Sequence, residues 1–153
     1  MKKVLALFII AGIFSFSFGG ERQDAYNKGH QADNEEKYEE AIKWFTKALE
    51  LCKEDEKIPK CWAYNNIGYI YIKLKNYDEA LKNLELAVKC SDKIEVAWNN
   101  LGVVYENFYY KTNDIEYLVK AKEAYMKASA LKPEQEKFKL NKLRVETLIK
   151  VHE

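Results

Sequence analysis

Apart from its carboxylates and lysines, the chain has few side chains able to do chemistry near neutral pH. They are His30, His152, Cys52, Cys61 and Cys90. His30 and Asp33 are three residues apart and would share one helix face. That pairing could hold a metal or move a proton, but a helix-surface histidine beside an acid is usually just solvated. No H-E-x-x-H sequence, glycine-rich phosphate loop or C-x-x-C occurs. Zinc hydrolysis, nucleotide binding and thiol oxidoreductase chemistry thus lack their usual residues. The expectation is a protein that is not an enzyme, with no catalytic residues, cofactor or metal.

The elements that would position these residues follow from composition and pattern. The chain has 153 residues, enough for one domain, and a formal charge of +1. That charge argues against nucleic acid as a partner, which calls for a large basic excess. Two prolines and six glycines rule out a linker-rich or fibrous chain, and 14% aromatic residues suffice for a packed core.

Residues 1–19 carry a separate signal. Lys2 and Lys3 precede an uncharged run from Val4 to Phe18, and Ser17 and Gly19 are the small residues a signal peptidase prefers. The pattern predicts a secretory signal peptide cut after Gly19. The run is short of the roughly 20 residues that span a bilayer, so an uncleaved anchor at residues 4–18 is the alternative. Export to the periplasm or the extracellular space is expected, with membrane contact only through this segment if it is retained. No cysteine ends the apolar run, so a lipid anchor is not supported.

From Arg22 onward the chain repeats itself. The clearest unit reads Trp98-x-x-Leu101-Gly102-x-x-Tyr105, followed by Ala121-x-x-x-Tyr125-x-x-Ala128 and Pro133. An earlier one reads Tyr64-x-x-Ile67-Gly68-x-x-Tyr71, then Ala80-x-x-x-Leu84-x-x-Ala87. The first begins Ala25-x-x-Lys28-Gly29-x-x-Ala32 and continues Ala41-x-x-x-Phe45-x-x-Ala48. Each unit holds two apolar patterns of helical period, with small residues where backbones must approach. One such hairpin cannot bury its apolar face alone, so the units must stack. This pattern resembles the tetratricopeptide repeat family over about residues 22–133. The implied fold is all-α: an α-solenoid of three helical hairpins (about 22–55, 61–94 and 95–133) with a C-terminal capping helix at 134–153.

Two departures from even spacing carry information. Gly29 to Gly68 is five residues longer than Gly68 to Gly102, and the charged stretch Glu54 to Lys60 reads as a longer loop. Gly102 to Ala121 spans 19 residues where the earlier units have 12. Seven residues are about two helical turns, which predicts one added turn on each helix of the third hairpin. Its aromatic run, Phe108, Tyr109, Tyr110, Ile115 and Tyr117, is a second candidate contact surface. In the last helix Phe138, Val145 and Ile149 share a face suited to packing, while Leu140, Leu143 and Val151 fall elsewhere.

The resemblance also implies where a ligand would lie. In the family the first helix of each hairpin lines a concave trough, here Tyr26, His30, Trp62, Asn65, Tyr69, Ile72, Val96, Asn99, Val103 and Glu106. Aromatic rings among amides suit an extended peptide. Family members that grip a C-terminal carboxylate use Lys, Asn, Asn, Lys and Arg. The matching positions are Tyr26, His30, Asn66, Val96 and Asn100, of which only Asn66 fits, so a carboxylate clamp is not expected. In an oxidising compartment Cys52 and Cys61 are expected to pair across the first inter-repeat loop, with Cys61–Cys90 as the alternative. The expected function is an exported protein-interaction scaffold holding a partner peptide or helix, in assembly of an envelope or secretion complex. The competing expectation is a structural subunit that forms a homo-oligomer through its terminal helix.

Overall fold

The computed structural model describes residues 20–152. The expectations for the signal segment, 1–19, lie outside the described residues. Every regular element among the described residues is an α-helix. The chain divides after Glu56 into two compact units.

The first unit contains one hairpin, α1 (residues 20–34) and α2 (Tyr38–Glu50). Ala25, Ala32, Ala41, Phe45 and Ala48 are buried along its seam. Gly29 lies directly beneath Phe45, and a Cβ there would sit 2.7 Å from the ring. The turn is closed by the backbone. The Lys37 N–H donates to the Ala32 carbonyl at 2.8 Å and the Glu36 N–H to Asp33 at 3.0 Å. This Schellman pattern places Glu36 in the left-handed region at φ 58°. Beyond α2, Glu56 forms an ion pair with Arg22 of α1.

The second unit repeats the design twice and adds a helix. It comprises α3 (Lys57–Lys73), α4 (Tyr77–Cys90), α5 (Glu95–Thr112), α6 (Ile115–Leu131) and α7 (Glu136–Val151). Gly68 on α3 receives Leu84 of α4, and Gly102 on α5 receives Tyr125 of α6; a Cβ would lie 2.7 and 2.5 Å from those side chains. Leu84 and Tyr125 are fully buried, and a large side chain buried in this way contributes about 1.5–3 kcal/mol. The core runs on between hairpins, where Ala80 and Leu84 pack with Leu101, Val104, Phe108 and Ala124. A second cluster joins Tyr109, Leu118, Ala121 and Tyr125 to Val145 of α7.

The third hairpin is taller, as its spacing predicts. Measured from its glycine, α5 runs five residues further than α3, and α6 starts three residues earlier than α4 relative to its first core alanine. Its turn is a simpler left-handed cap: Asn113 at φ 57° donates to the Tyr109 carbonyl at 2.7 Å, and the Asp114 carboxylate accepts from Glu116 N–H at 3.0 Å. Phe108 and Tyr109 are buried and Tyr117 half-buried, whereas Tyr110 and Ile115 face outward.

The five extra residues before Gly68 do not all form a loop. The connection is confined to residues 51–56, and Lys57 to Lys60 are the first turn of α3. Pro59 fits there because a first-turn N–H has no helical partner to lose.

Two substitutions test these packing relations in the second unit. Gly102→Ala forces Cβ into a ring that cannot yield, and should cost about 1–2 kcal/mol despite the better helix propensity. Lys75 occupies the left-handed turn position of the α3–α4 hairpin at φ 58°, so Lys75→Gly should stabilise by about 0.5–1 kcal/mol. Denaturant unfolding followed by circular dichroism reads both; the reverse ordering would refute the assignment of these turns and contacts.

Candidate functional site

Three helices, α3, α5 and α7, lie in sequence along one side of the second unit, tied by two equivalent hydrogen bonds between side-chain amides. Asn100 Nδ2 donates to Asn65 Oδ1 at 3.1 Å, and Asn141 Nδ2 donates to Asn99 Oδ1 at 2.8 Å. The acceptors Asn65 and Asn99 are 34 residues apart, the donors Asn100 and Asn141 41 apart. The extra seven residues are those inserted in the third hairpin. Helix α7 therefore stands in the register of a further first helix. Phe138 and Val145 are buried at the positions of Ala97 and Val104.

Between these helices is a cleft of about 400 Å³. Trp62 and Tyr69 of α3, 37% and 40% exposed, form one wall. Asn65, Asn66, Asn99 and Asn100 line the floor with Val96. Gln135, Lys137 and Phe138 at the start of α7 form the far wall. At the rim Lys132 pairs with Glu95 at 3.6 Å. Trp62 and Tyr69 are seven residues apart, about 10 Å along the helix, the span of about three residues of extended chain. Asn65 Nδ2 donates to Asn66 Oδ1 at 3.2 Å. Asn65 and Asn99 are buried, while Asn66 and Asn100 are half-buried and present amides to the cleft.

Of the trough residues expected from the sequence, the cleft brings together Trp62, Asn65, Tyr69, Val96 and Asn99. Ile72 instead packs on the core around Leu84, and Val103 on the cluster of Tyr109 and Val145. Tyr26 and His30 belong to the first unit, where both rings lie against Phe45, at 5.4 and 5.1 Å between centroids.

Glu106 was expected to face a ligand, and the structure corrects this: it is 4% exposed and bound by α6 and α7. Arg144 Nε and Nη2 donate to its two oxygens at 3.0 and 2.6 Å, and the Tyr125 hydroxyl donates to it as well. A third guanidinium nitrogen reaches Asn141 Oδ1 at 3.2 Å. Burial, reinforced by the Glu106 charge, pushes the Tyr125 phenol far above its ordinary range, so the hydroxyl stays protonated and donates. The charge is satisfied by three donors from two side chains, one of them on α7, and this locks α7 in place. Gln135, Lys137, Phe138 and Arg144 were missed because α7 was read as a cap; the 41-residue offset of Asn141 from Asn100 is the signal that would have found its register.

The expected Cys52–Cys61 bridge is not formed. Cys61 is bonded to Cys90, with the Cα atoms 5.3 Å apart, and the Cys52 thiol donates to the Ala48 carbonyl. The reason is topological: Cys61 lies near the start of α3 and Cys90 ends α4, so the bridge closes the open end of a hairpin whose other end is the Leu74–Asn76 turn. Among the described residues, no three His, Cys, Asp or Glu converge as metal ligands.

Residues 22–93 match the family model of the tetratricopeptide repeat, and the described residues have the all-α fold of tetratricopeptide repeat domains. Among curated relatives, the uncharacterized protein ycf37 of Guillardia theta is 36% identical over 104 residues, 68% of this chain and 54% of that one. The photosystem I assembly protein Ycf3 of Prochlorococcus marinus (strain NATL1A) is 28% identical over 81 residues, 53% of this chain and 46% of that one. The chain thus spans about half the length of these relatives. Among solved structures, the first tetratricopeptide domain of Spaghetti (RPAP3), bound to the HSP90 peptide SRMEEVD, superposes with TM-score 0.72 at 20% identity. That match covers 85% of this chain and 94% of the other. The fold is that of a protein-interaction scaffold, a class that is generally non-enzymatic.

Two measurements check the site's supports. Arg144→Ala leaves Glu106 short of its partner and should cost about 2 kcal/mol, since the guanidinium is half exposed. Amide hydrogen exchange should then speed up in α7 well before α3 and α4; uniform acceleration would contradict a lock on α7. The disulfide closes a loop with a separation of 29 residues, so its reduction should lower stability by about 3–4 kcal/mol. Cys52→Ala should leave that shift unchanged, and loss of the shift would show that Cys52 holds the bridge.

Proposed function

We propose that the chain is a non-catalytic, exported binding module that holds an extended segment of a partner protein in the cleft between α3, α5 and α7. The observation that carries this reading is the pair of exposed rings, Trp62 and Tyr69, standing over a floor of four asparagines. Rings so placed cover apolar side chains of a ligand, and amides pair with its backbone.

Export is supported by the pattern of residues 1–19 and by a disulfide of the kind that persists in oxidising compartments. Finding the cellular chain with residues 1–19 attached and Cys61 reduced would remove this half of the proposal. A role in assembling a complex is supported by one relative's name, photosystem I assembly protein; the envelope or secretion setting rests on the pattern of residues 1–19 alone.

Peptides of twelve residues selected from a random library against the full chain test the cleft. Their affinity should fall at least tenfold, about 1.4 kcal/mol, in the Trp62→Ala, Tyr69→Ala double variant with its helix content unchanged. Selected peptides that bind the variant equally well would place the binding surface elsewhere.

A further inference from the structure

Helix α7 has the register of a first helix but no second helix follows it among the described residues. Among the described residues its outward side carries exposed apolar side chains. Leu140, Leu143, Thr147 and Val151 are spaced three, four and four residues apart, so they fall within an arc of about 80° and form a stripe along the helix. Leu140, Leu143 and Val151 are 55%, 59% and 78% exposed. Such a run of apolar side chains spans about 16 Å.

At two positions α7 departs from the pattern of α3 and α5. Leu140 occupies the place that Asn65 and Asn99 hold on α3 and α5, so the amide ladder has no further acceptor. Leu143 stands where Gly68 and Gly102 stand, and its side chain would hold off a helix packed as closely as α4 or α6. The stripe can accept a helix at ordinary spacing but not a fourth tight hairpin.

The charges beside it select the occupant. Lys137 flanks the stripe on one edge and Lys139 and Lys150 on the other, all exposed. The carboxylates nearby are fewer, Glu136 one turn before Leu140 and Glu146 beside Lys139, the latter within 4.0 Å of Lys142. Among the described residues none of the three flanking lysines lies in an ion pair. Two copies of α7 laid together would set these lysines against one another. A second copy is therefore disfavoured. A helix with apolar residues at heptad spacing and carboxylates on its flanks meets both the stripe and its charged edges.

We propose that the Leu140–Val151 stripe of α7 is a docking surface for an acidic amphipathic helix of a partner protein, separate from the cleft. It does not depend on the cleft's being occupied.

The test uses the full chain and two synthetic peptides of 21 residues, each with leucine at heptad a and d positions. One carries glutamate at e and g, the other lysine. Fluorescence anisotropy at low salt should show the glutamate peptide binding at least tenfold more tightly than the lysine peptide, with the preference fading in 0.5 M salt. Leu143→Glu should abolish binding, and Lys139→Glu with Lys150→Glu should weaken it at least fivefold. Both leave exposed positions folded, which circular dichroism verifies. Trp62→Ala with Tyr69→Ala should change nothing, so failure of the cleft reading and failure of this one are distinguishable. Equal binding of the two peptides, no binding at 100 µM, or a dimer that Leu143→Glu dissolves would overturn the proposal. So would binding to phosphatidylglycerol vesicles, lost in Leu143→Glu, without binding to the glutamate peptide.

Discussion

Every feature of the second unit depends on one close approach, a helix backbone stripped to glycine so that a large side chain from its neighbour can lie on it. Leu84 rests on Gly68 and Tyr125 on Gly102, and within the first unit Phe45 rests on Gly29 in the same way. The contact sets how near the two helices of a hairpin stand. That distance decides whether the flanking alanines, Ala80 and Ala87 or Ala121 and Ala128, reach zero exposure. A helix pair held farther apart would leave the seam wet and give the next hairpin no surface to pack on.

The polar features follow from the same geometry. With hairpins at fixed spacing, the first helices fall side by side and asparagines at equivalent positions come within hydrogen-bond reach. The amides then serve two ends: they join α3 to α5 and α5 to α7, and they floor the cleft. Tyr125 links the two layers of interaction. Its ring closes the third hairpin on Gly102 while its hydroxyl reaches Glu106, whose other bonds go to Arg144. Hairpin closure, the buried carboxylate and the seating of α7 are thus coupled, and α7 in turn supplies Gln135, Lys137 and Phe138 to the cleft.

Much of this was legible in the sequence because it is local. Glycine and alanine spacings mark the helical seams, and the seven-residue excess in the third hairpin translates into an added turn on each helix with the turn chemistry at Asn113 and Asp114. Long-range stacking was less legible. Glu106 reads as a groove acid until α7 is placed over it, and Arg144 stands among lysines that give no hint of its partner. For the disulfide, nearness in sequence favoured Cys52–Cys61, but hairpin topology brings together the ends of α3 and α4, and the alternative pair, Cys61–Cys90, is the one formed. The loop before α3 was overestimated because charged residues and Pro59 mark a loop and a first helical turn equally well.

The most direct measurement is nuclear magnetic resonance on the folded chain, at the Gly102 α-protons. With the Tyr125 ring on the glycine, these protons should show strong ring-current shifts and close-range cross-relaxation to the ring protons, and the Gly68 α-protons should show the same cross-relaxation to the Leu84 methyls. Random-coil shifts at Gly102 with no cross-peaks to either partner would mean that the hairpins are not closed at their glycines, and the account of the fold and of the cleft built on it would be wrong.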